Sequence, residues 1–351
     1  MRKIKKQAKF TVLIANFNGE KYLKKCLPSV LGSNKRVEFK VLIVDDASTD
    51  GSVSYIKSLS AKYNNISLIV NKTNQGPSGS RNIGMEKVDT EYVYFLDNDT
   101  EVDKDFLLEC ERTFEEESGV GAVQSMLCDY DNRGEIQNAG LALIPYAAWA
   151  IGLSAGEKYD SSKDYKKEVL GLSAALAVKL EVFKKGVEFD SRFYHYSEDL
   201  DFSWRMWVAG YKTLLSKKSV VYHKVKKIDE RKNVGADNSV VYFHLVKNSI
   251  RSMIKNYELR SLLVYLPMCV FIVLARAILV LIARFDSSSI RGTFKAIAWS
   301  LANLSDTLSE RSKVSKLRAK DDSYIFEKVM LSQGPLAVYK KYFSQTKLLP
   351  I

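Results

Sequence analysis

Tyr92-Val93-Tyr94-Phe95-Leu96-Asp97-Asn98-Asp99 is the stretch on which the reading of this chain turns. Five consecutive β-favouring aromatic or aliphatic residues run without polar alternation. That is the pattern of a short strand buried on both faces, as in parallel sheets. The run stops at two carboxylates separated by one residue. Carboxylates this close suit a hard divalent ion that also holds substrate phosphates, Mg2+ or Mn2+. An Asp-x-Asp tripeptide is common on surface turns; its place directly after a buried strand gives it weight.

Working outward, three similar runs precede it: Phe10–Ala15, Val41–Val44 and Ile66–Val70. Helically spaced segments, Leu23–Leu31 and Val53–Tyr63, lie between them. The alternation predicts βαβ units and a mostly parallel sheet flanked by helices. Ligands in such sheets bind beyond the carboxyl ends of the strands. Four tips, Asn16–Gly19, Asp45–Asp50, Asn71–Arg81 and Asp97–Asp99, should therefore meet at one edge. A carboxylate of the Asp45-Asp46 pair suits a nucleobase or ribose, while Asp50 or Ser48 reads as a helix N-cap. The loop Asn74–Asn82, with Gly76 and Arg81, runs into a helix and suits phosphates. It matches neither the Walker A loop nor G-x-G-x-x-G, which argues against a kinase or a Rossmann dehydrogenase.

Residues 103–223 are mixed. The patterns predict a helix at Phe106–Glu117, strands at Gly121–Met126 and Ile136–Leu143, a helix at Leu200–Ala209 closed by Gly210, and a strand at Lys212–Leu215. Glu198-Asp199 at the head of that helix reads as a cap or as a general base. Trp204 and Trp207 read as core before sugar-stacking surface. His223, closing Val220–His223, is by default structural, although imidazole also completes metal sites. Asp229–Asp237 is polar and reads as a mobile loop.

The chain has 351 residues, 46% apolar, with a formal charge of +12. That composition is a folded one. The bases cluster at Arg2–Lys6, Lys212–Lys232 and the C-terminal third without aromatic interleaving, so a membrane surface fits better than nucleic acid. Four cysteines without a C-x-x-C pair argue against a disulfide framework and a structural zinc site and point to a reducing compartment. Asn16 interrupts the first apolar run too early for a signal peptide, so the catalytic part should face the cytoplasm. Leu262–Ala283 is almost wholly apolar and long enough to span a bilayer, despite Pro267 and Arg276. The basic tail after it conflicts with a single crossing. A helical hairpin or interfacial pair, about 262–284 and 290–305, resolves the conflict; the competing reading is a long buried helix in a soluble oligomer. We expect a catalytic domain over 1–237, with halves 1–102 and 103–237. A helical region over 238–351 should associate with the cell membrane and serve any homo-oligomer contact.

Thr11–Gly19, Val41–Ser52, Asn74–Gly84, Tyr92–Asp99, Phe189–Gly210 and Val220–His223 together resemble the blocks of glycosyltransferase family 2, in that family's order. Phe189–Phe193 followed by Glu198–Asp201 is similar to rhamnosyl- and mannosyl-type members. The resemblance implies the GT-A fold, Rossmann-like with a mostly parallel sheet, and inverting transfer of a hexose such as mannose, or of rhamnose, from a nucleoside-diphosphate sugar. It implies that Asp46 contacts the nucleoside, with Ala15, Phe17 and Asn18 lining the pocket. Asp45, Gly76 and Asn98 share those loops, and Arg81 would lie near the phosphates. Asp97, Asp99 and His223 would hold Mg2+ or Mn2+, and Asp199 would be the base, with Glu198 beside it. No Q-x-x-R-W motif is present, so addition of one sugar is expected, on a lipid-linked or glycan acceptor. The rival readings are a non-catalytic sugar-binding protein, which would have lost the base or a metal carboxylate, and a nucleotidyltransferase. The latter needs a basic glycine-rich loop after strand one, where Asn16-Phe17-Asn18-Gly19 has no basic residue.

Overall fold

The computed structural model describes residues 7–34, 36–224 and 238–331. The basic cluster Arg2–Lys6 and the expected loop Asp229–Asp237 lie outside the described residues. The first hundred residues alternate as their pattern predicts: β1 (Phe10–Asn16), α1 (Glu20–Leu31), β2 (Phe39–Asp45), α2 (Ser52–Lys62), β3 (Ile66–Val70), α3 (Gly76–Met85) and β4 (Tyr92–Asp97). There follow β5 (Thr100–Val102), α4 (Phe106–Glu115), β6 (Val120–Asp129), β7 (Ile136–Asn138), β8 (Leu141–Ile144) and β9 (Trp149–Gly152). The rest of this part is β10 (Ala175–Lys179), α5 (Leu180–Lys184), α6 (Glu198–Val208) and β11 (Lys212–His223).

The main sheet runs β3-β2-β1-β4-β10-β6-β11-β5, with β7 added on β6. The first four strands are mutually parallel, and β10 and β5 run against their neighbours. Register explains why the tips meet. Asn16 lies opposite Asp45, Asp45 opposite Val70, and Ala15 opposite Asp97, so four strands end along one line. Both faces are covered, and β1 is buried along nearly its whole length, which is why its sequence shows no alternation.

Four expectations are corrected, the first being the loop expected over Asn74–Asn82, which is helical from Gly76 as the start of α3. Ile136–Leu143 is two strands, because Gly140 breaks the run in the left-handed region at φ +89°. Lys212–Leu215 and Val220–His223 are one strand, β11, with a register shift between Ser216 and Val220. The helix expected from Leu200 starts at Glu198. Gly140 is also cramped: a Cβ there would lie 2.6 Å from Val169 Cβ, an atom no rotamer moves. Gly140→Ala should therefore cost about 2 kcal/mol or more, from left-handed strain together with overpacking. The urea midpoint should fall with unchanged slope; an unaltered midpoint would refute the account.

The chain divides into two compact units, 1–141 with 152–227, and 142–151 with 228–351. The second unit contains α7 (Ser239–Asn256), α8 (Leu259–Arg284), α9 (Ser288–Ala302), α10 (Leu304–Leu317) and α11 (Asp322–Val329). Its core takes in Ile144, Tyr146, Ala147 and Ile151 with Tyr265 and Ile272. Tyr257 Oη donates to Pro145 O at 2.8 Å, and Leu331 N to Leu143 O at 2.9 Å. By length and composition α8 is able to cross a membrane.

Candidate active site

The strand tips are stitched together by short polar side chains. Asp45 accepts from Asn16 Nδ2 (2.8 Å) and Ser48 N (2.9 Å). Asn98 Nδ2 donates to Asn16 Oδ1 at 2.7 Å, which ties the Asp-x-Asp turn to β1. Asn18 receives Thr49 N at 2.8 Å and gives its own N–H to Ser48 Oγ at 2.9 Å. Asp50 accepts from both Ser52 N and Glu20 N at 3.0 Å, so it serves the starts of two helices. Asp46 holds the third loop: its oxygens accept from Asn71 Nδ2, Gln75 N and Gly76 N, each at 2.8 Å. Ala15 is half-buried, and Phe17 and Asn18 are exposed beside this network.

Arg81, delivered by α3, is 5% exposed and faces three carboxylates. Its guanidinium is 3.0 Å from Asp97, 3.4 Å from Glu198 and 3.6 Å from Asp199. Asp97, Asp99 and His223 offer ligand atoms within 4.8 Å of one another. The pairing of β5 with β11 sets Thr100 opposite His223, and so brings the histidine to Asp99. Its Nε2 is 3.4 Å from Asp99 Oδ1, while Nδ1 hydrogen-bonds Gln137 Oε1 at 2.7 Å. With Nδ1 engaged by Gln137, Nε2 is the nitrogen turned to the carboxylates, the arrangement that outer partners give metal-bound histidines. Two carboxylates and an imidazole form a donor set that fits Mg2+ or Mn2+.

The charge balance points the same way. Burial raises the Asp97 pKa, Arg81 opposes this, and Asp99 adds to it. Glu198 is pushed up to about 7 by burial and by Asp199, against the pull of Arg81. Burial opposes charging of His223, but the hydrogen bond and negative charge of Asp99, with Asp97 behind it, outweigh burial and raise its pKa. All three shifts run toward the protonated form, as a surplus of negative charge dictates, and a bound cation would oppose them.

Glu198 and Asp199 stand in the first turn of α6. Their carboxylates turn to Arg81, and Ser173 Oγ donates a short hydrogen bond to Asp199 Oδ1. Before this helix Tyr194, Tyr196 and Ser197 all have left-handed φ (53°, 66° and 61°), a conformation that non-glycine residues hold only where the surroundings over-determine it. Asn82 exchanges hydrogen bonds with Phe189 N and O, pinning that segment to α3. Trp204 and Trp207 are core, 0% and 1% exposed. Ser173 and Gln137 escaped the sequence reading. No local pattern marks either, since each matters only through a partner brought by the sheet: Asp97 N donates to Ala174 O beside Ser173.

A parallel α/β sheet whose fourth strand carries an Asp-x-Asp turn to the ligand edge, continued by a mixed section in which β10 and β5 run against their neighbours, is the GT-A fold of nucleotide-sugar glycosyltransferases. Residues 11–176, a little under half of the chain, match the family model described as Glycosyl transferase family 2, the family whose blocks the sequence resembles. An uncharacterised glycosyltransferase of Haemophilus influenzae is 34% identical over 97 residues, 28% of this chain and 38% of that protein. The GalNAc(5)-diNAcBac-PP-undecaprenol beta-1,3-glucosyltransferase of Campylobacter jejuni is 30% identical over 95 residues, 27% of this chain and 30% of its own. The matched segment thus spans well under half of either relative. Among solved structures, the mannosyltransferase PcManGT of Pyrobaculum calidifontis, in complex with GDP-Man and Mn2+, shares the fold with a TM-score of 0.52 at 15% identity, covering 89% of this chain and 86% of that one.

Proposed function

We propose that this glycosyltransferase is metal-dependent and inverting, and that it moves one hexose from a nucleoside-diphosphate sugar to a hydroxyl of a lipid-linked acceptor at the cytoplasmic face of a membrane. The observation that carries the reading is the placement of Asp199 across Arg81 from Asp97, Asp99 and His223. Asp97, Asp99 and His223 would hold Mg2+ or Mn2+, which when bound neutralises the departing diphosphate. Arg81, held among Asp97, Glu198 and Asp199, would stand near the same phosphates. Ser173 occupies Asp199 Oδ1, which leaves Oδ2 to take the acceptor's proton. The acceptor oxygen bonds to the anomeric carbon as the carbon–oxygen bond to the diphosphate breaks on the opposite face. The electron pair leaves with the nucleotide, and configuration inverts. Ala15, Phe17, Asn18, Asp45, Asp46, Gly76 and Asn98 are assigned to the nucleotide side of the same edge.

Support for the acceptor class comes from the Campylobacter relative, whose name specifies an undecaprenol-linked substrate, and from the apolar α8. Support for the metal comes from the donor set and from the Mn2+ in the Pyrobaculum mannosyltransferase. The Phe189–Phe193 resemblance supports mannose or rhamnose as the sugar, and the Pyrobaculum neighbour is a mannosyltransferase.

Calorimetry of nucleoside diphosphates with Mn2+ and with EDTA tests the site. Affinity should fall at least about tenfold on chelation, and the preferred base among UDP, GDP and dTDP should emerge from the same titrations. An affinity indifferent to EDTA removes Asp97, Asp99 and His223 as ligands. A product anomer matching that of the sugar donor, read by NMR, removes inversion.

A further inference from the structure

We infer that the helical unit is monotopic: α8 lies in the plane of one anionic leaflet, its bare face sunk among the acyl chains, and does not cross the bilayer. This deepens the membrane part of the proposed function and is independent of the catalytic assignment.

Length alone permits crossing. Twenty-six residues make a helix about 39 Å long, against a hydrocarbon core of about 30 Å. What decides is the burial of its two faces. Leu263, Met268, Phe271, Ile278, Leu279 and Ile282 are exposed along one side for nearly the whole length. Cys269, Val273, Ala277 and Val280 are buried along the other. The buried side is anchored at successive turns. Tyr265 packs on Tyr257 and Phe326 with ring centroids 5.4 and 5.7 Å apart. Cys269 Sγ donates to Ala147 O at 3.7 Å, and Ser289 Oγ to Ala277 O at 3.1 Å. A crossing helix would present lipid on every side not covered by another span, and among the described residues α8 is the one helix able to span.

Arg276 removes the objection its charge raises. The guanidinium stacks on Trp149 (5.1 Å) and Tyr242 (5.5 Å), toward the unit and away from the bare face. The helix packed beside α8 carries the second argument. α9 exposes Arg291 and Lys295 together with Phe294 and Leu301. A spanning α8 would carry those cations into hydrocarbon at high cost, whereas a helix lying flat leaves them at headgroup level with the apolar side chains below. Arg260 is exposed at the other end of the stripe. Residues 238–331 hold 14 Lys and Arg against 7 Asp and Glu. The charge therefore complements an anionic headgroup layer, which is why lipid, and not a second copy of the same basic chain, is assigned to this face.

The test uses the full chain on vesicles of phosphatidylcholine with and without phosphatidylglycerol. Leu263→Cys, Phe271→Cys and Ile282→Cys are labelled singly with a fluorophore; the four native cysteines are buried and do not compete. Quenching by lipids spin-labelled at known depths should place all three labels at the same shallow depth, with binding strengthened by phosphatidylglycerol and weakened by salt. A Phe271 label near the bilayer centre, with the flanking labels toward opposite faces, overturns the inference in favour of crossing. Labels unquenched by any vesicle, with the chain sedimenting as a stable dimer, overturn it in favour of a protein interface. The double variant Phe271→Asp, Ile278→Asp should lower vesicle partitioning at least tenfold while leaving nucleotide affinity as in the parent. That parallel reading separates failure of the membrane face from failure of the active-site assignment.

Discussion

Asp199→Asn is expected to lower turnover by about 10²–10⁴-fold, the range for a positioned general base, while the affinity for the nucleotide sugar stays close to that of the parent. The change is nearly isosteric, and the amide oxygen still accepts from Ser173 Oγ, so the loop before β10 keeps its anchor. What disappears is the capacity to take the acceptor's proton. The negative charge 3.6 Å from Arg81 disappears too, yet Asp97 and Glu198 still hold the guanidinium. Loss of kcat with donor binding intact in calorimetry is the signature of an interaction made in the transition state. Turnover within a few-fold of the parent would remove Asp199 from the mechanism. Glu198 would not inherit the role, since its carboxylate is 10% exposed and faces Arg81.

Arg81→Met carries the second large effect, this time on stability. One buried guanidinium serves three carboxylates, and removing one partner of a buried ion pair is costly because the others are left uncompensated. The loss should be about 3 kcal/mol, the low end of the buried range, because the Asp97 side chain is 34% exposed and solvent screens part of the charge. For a unit of this size that is a fall in melting temperature of about 6–12 °C in metal-free buffer. The pH dependence has a definite sign. The Glu198 pKa is already raised from 4.5 to about 7 in the folded state, and loss of Arg81 raises it further. A raised carboxyl pKa means the folded state binds the proton more tightly, so the variant's penalty is absent below the unfolded value and grows as pH rises through the folded one. Mn2+ should recover part of the loss by standing against Asp97. A melting temperature equal to the parent's at neutral pH, with or without Mn2+, would show that Arg81 does not hold this cluster together.

Much of the strand-tip edge is legible in the sequence. Unbroken apolar runs at Phe10, Val41, Ile66 and Tyr92 mark strands buried on both faces, and helical spacing between them makes the connections parallel. Parallel connection puts all four tips at one edge, so Asn16, Asp45, Asn71 and Asp97 were bound to meet. The errors fell where one backbone angle or one register step decides. Gly140 splits an apolar run that periodicity reads as continuous, and the register shift after Ser216 joins two runs into β11.

What the linear chain determined, then, is the parallel sheet, its ligand edge, the Asp-x-Asp turn and the existence of one long apolar helix, because each follows from local periodicity and from the rule that strands end together. That His223 stands at Asp99 was implied by the family resemblance and not by any local pattern; the pairing of β11 with β5 is what brings it there. The tertiary structure alone decided that Arg81 bridges Asp97 to Asp199, and that Ser173 and Gln137 hydrogen-bond Asp199 and His223. It also decided which side of α8 is bare. These depend on contacts between residues tens to more than a hundred positions apart, and nothing in the neighbourhood of either partner encodes the other.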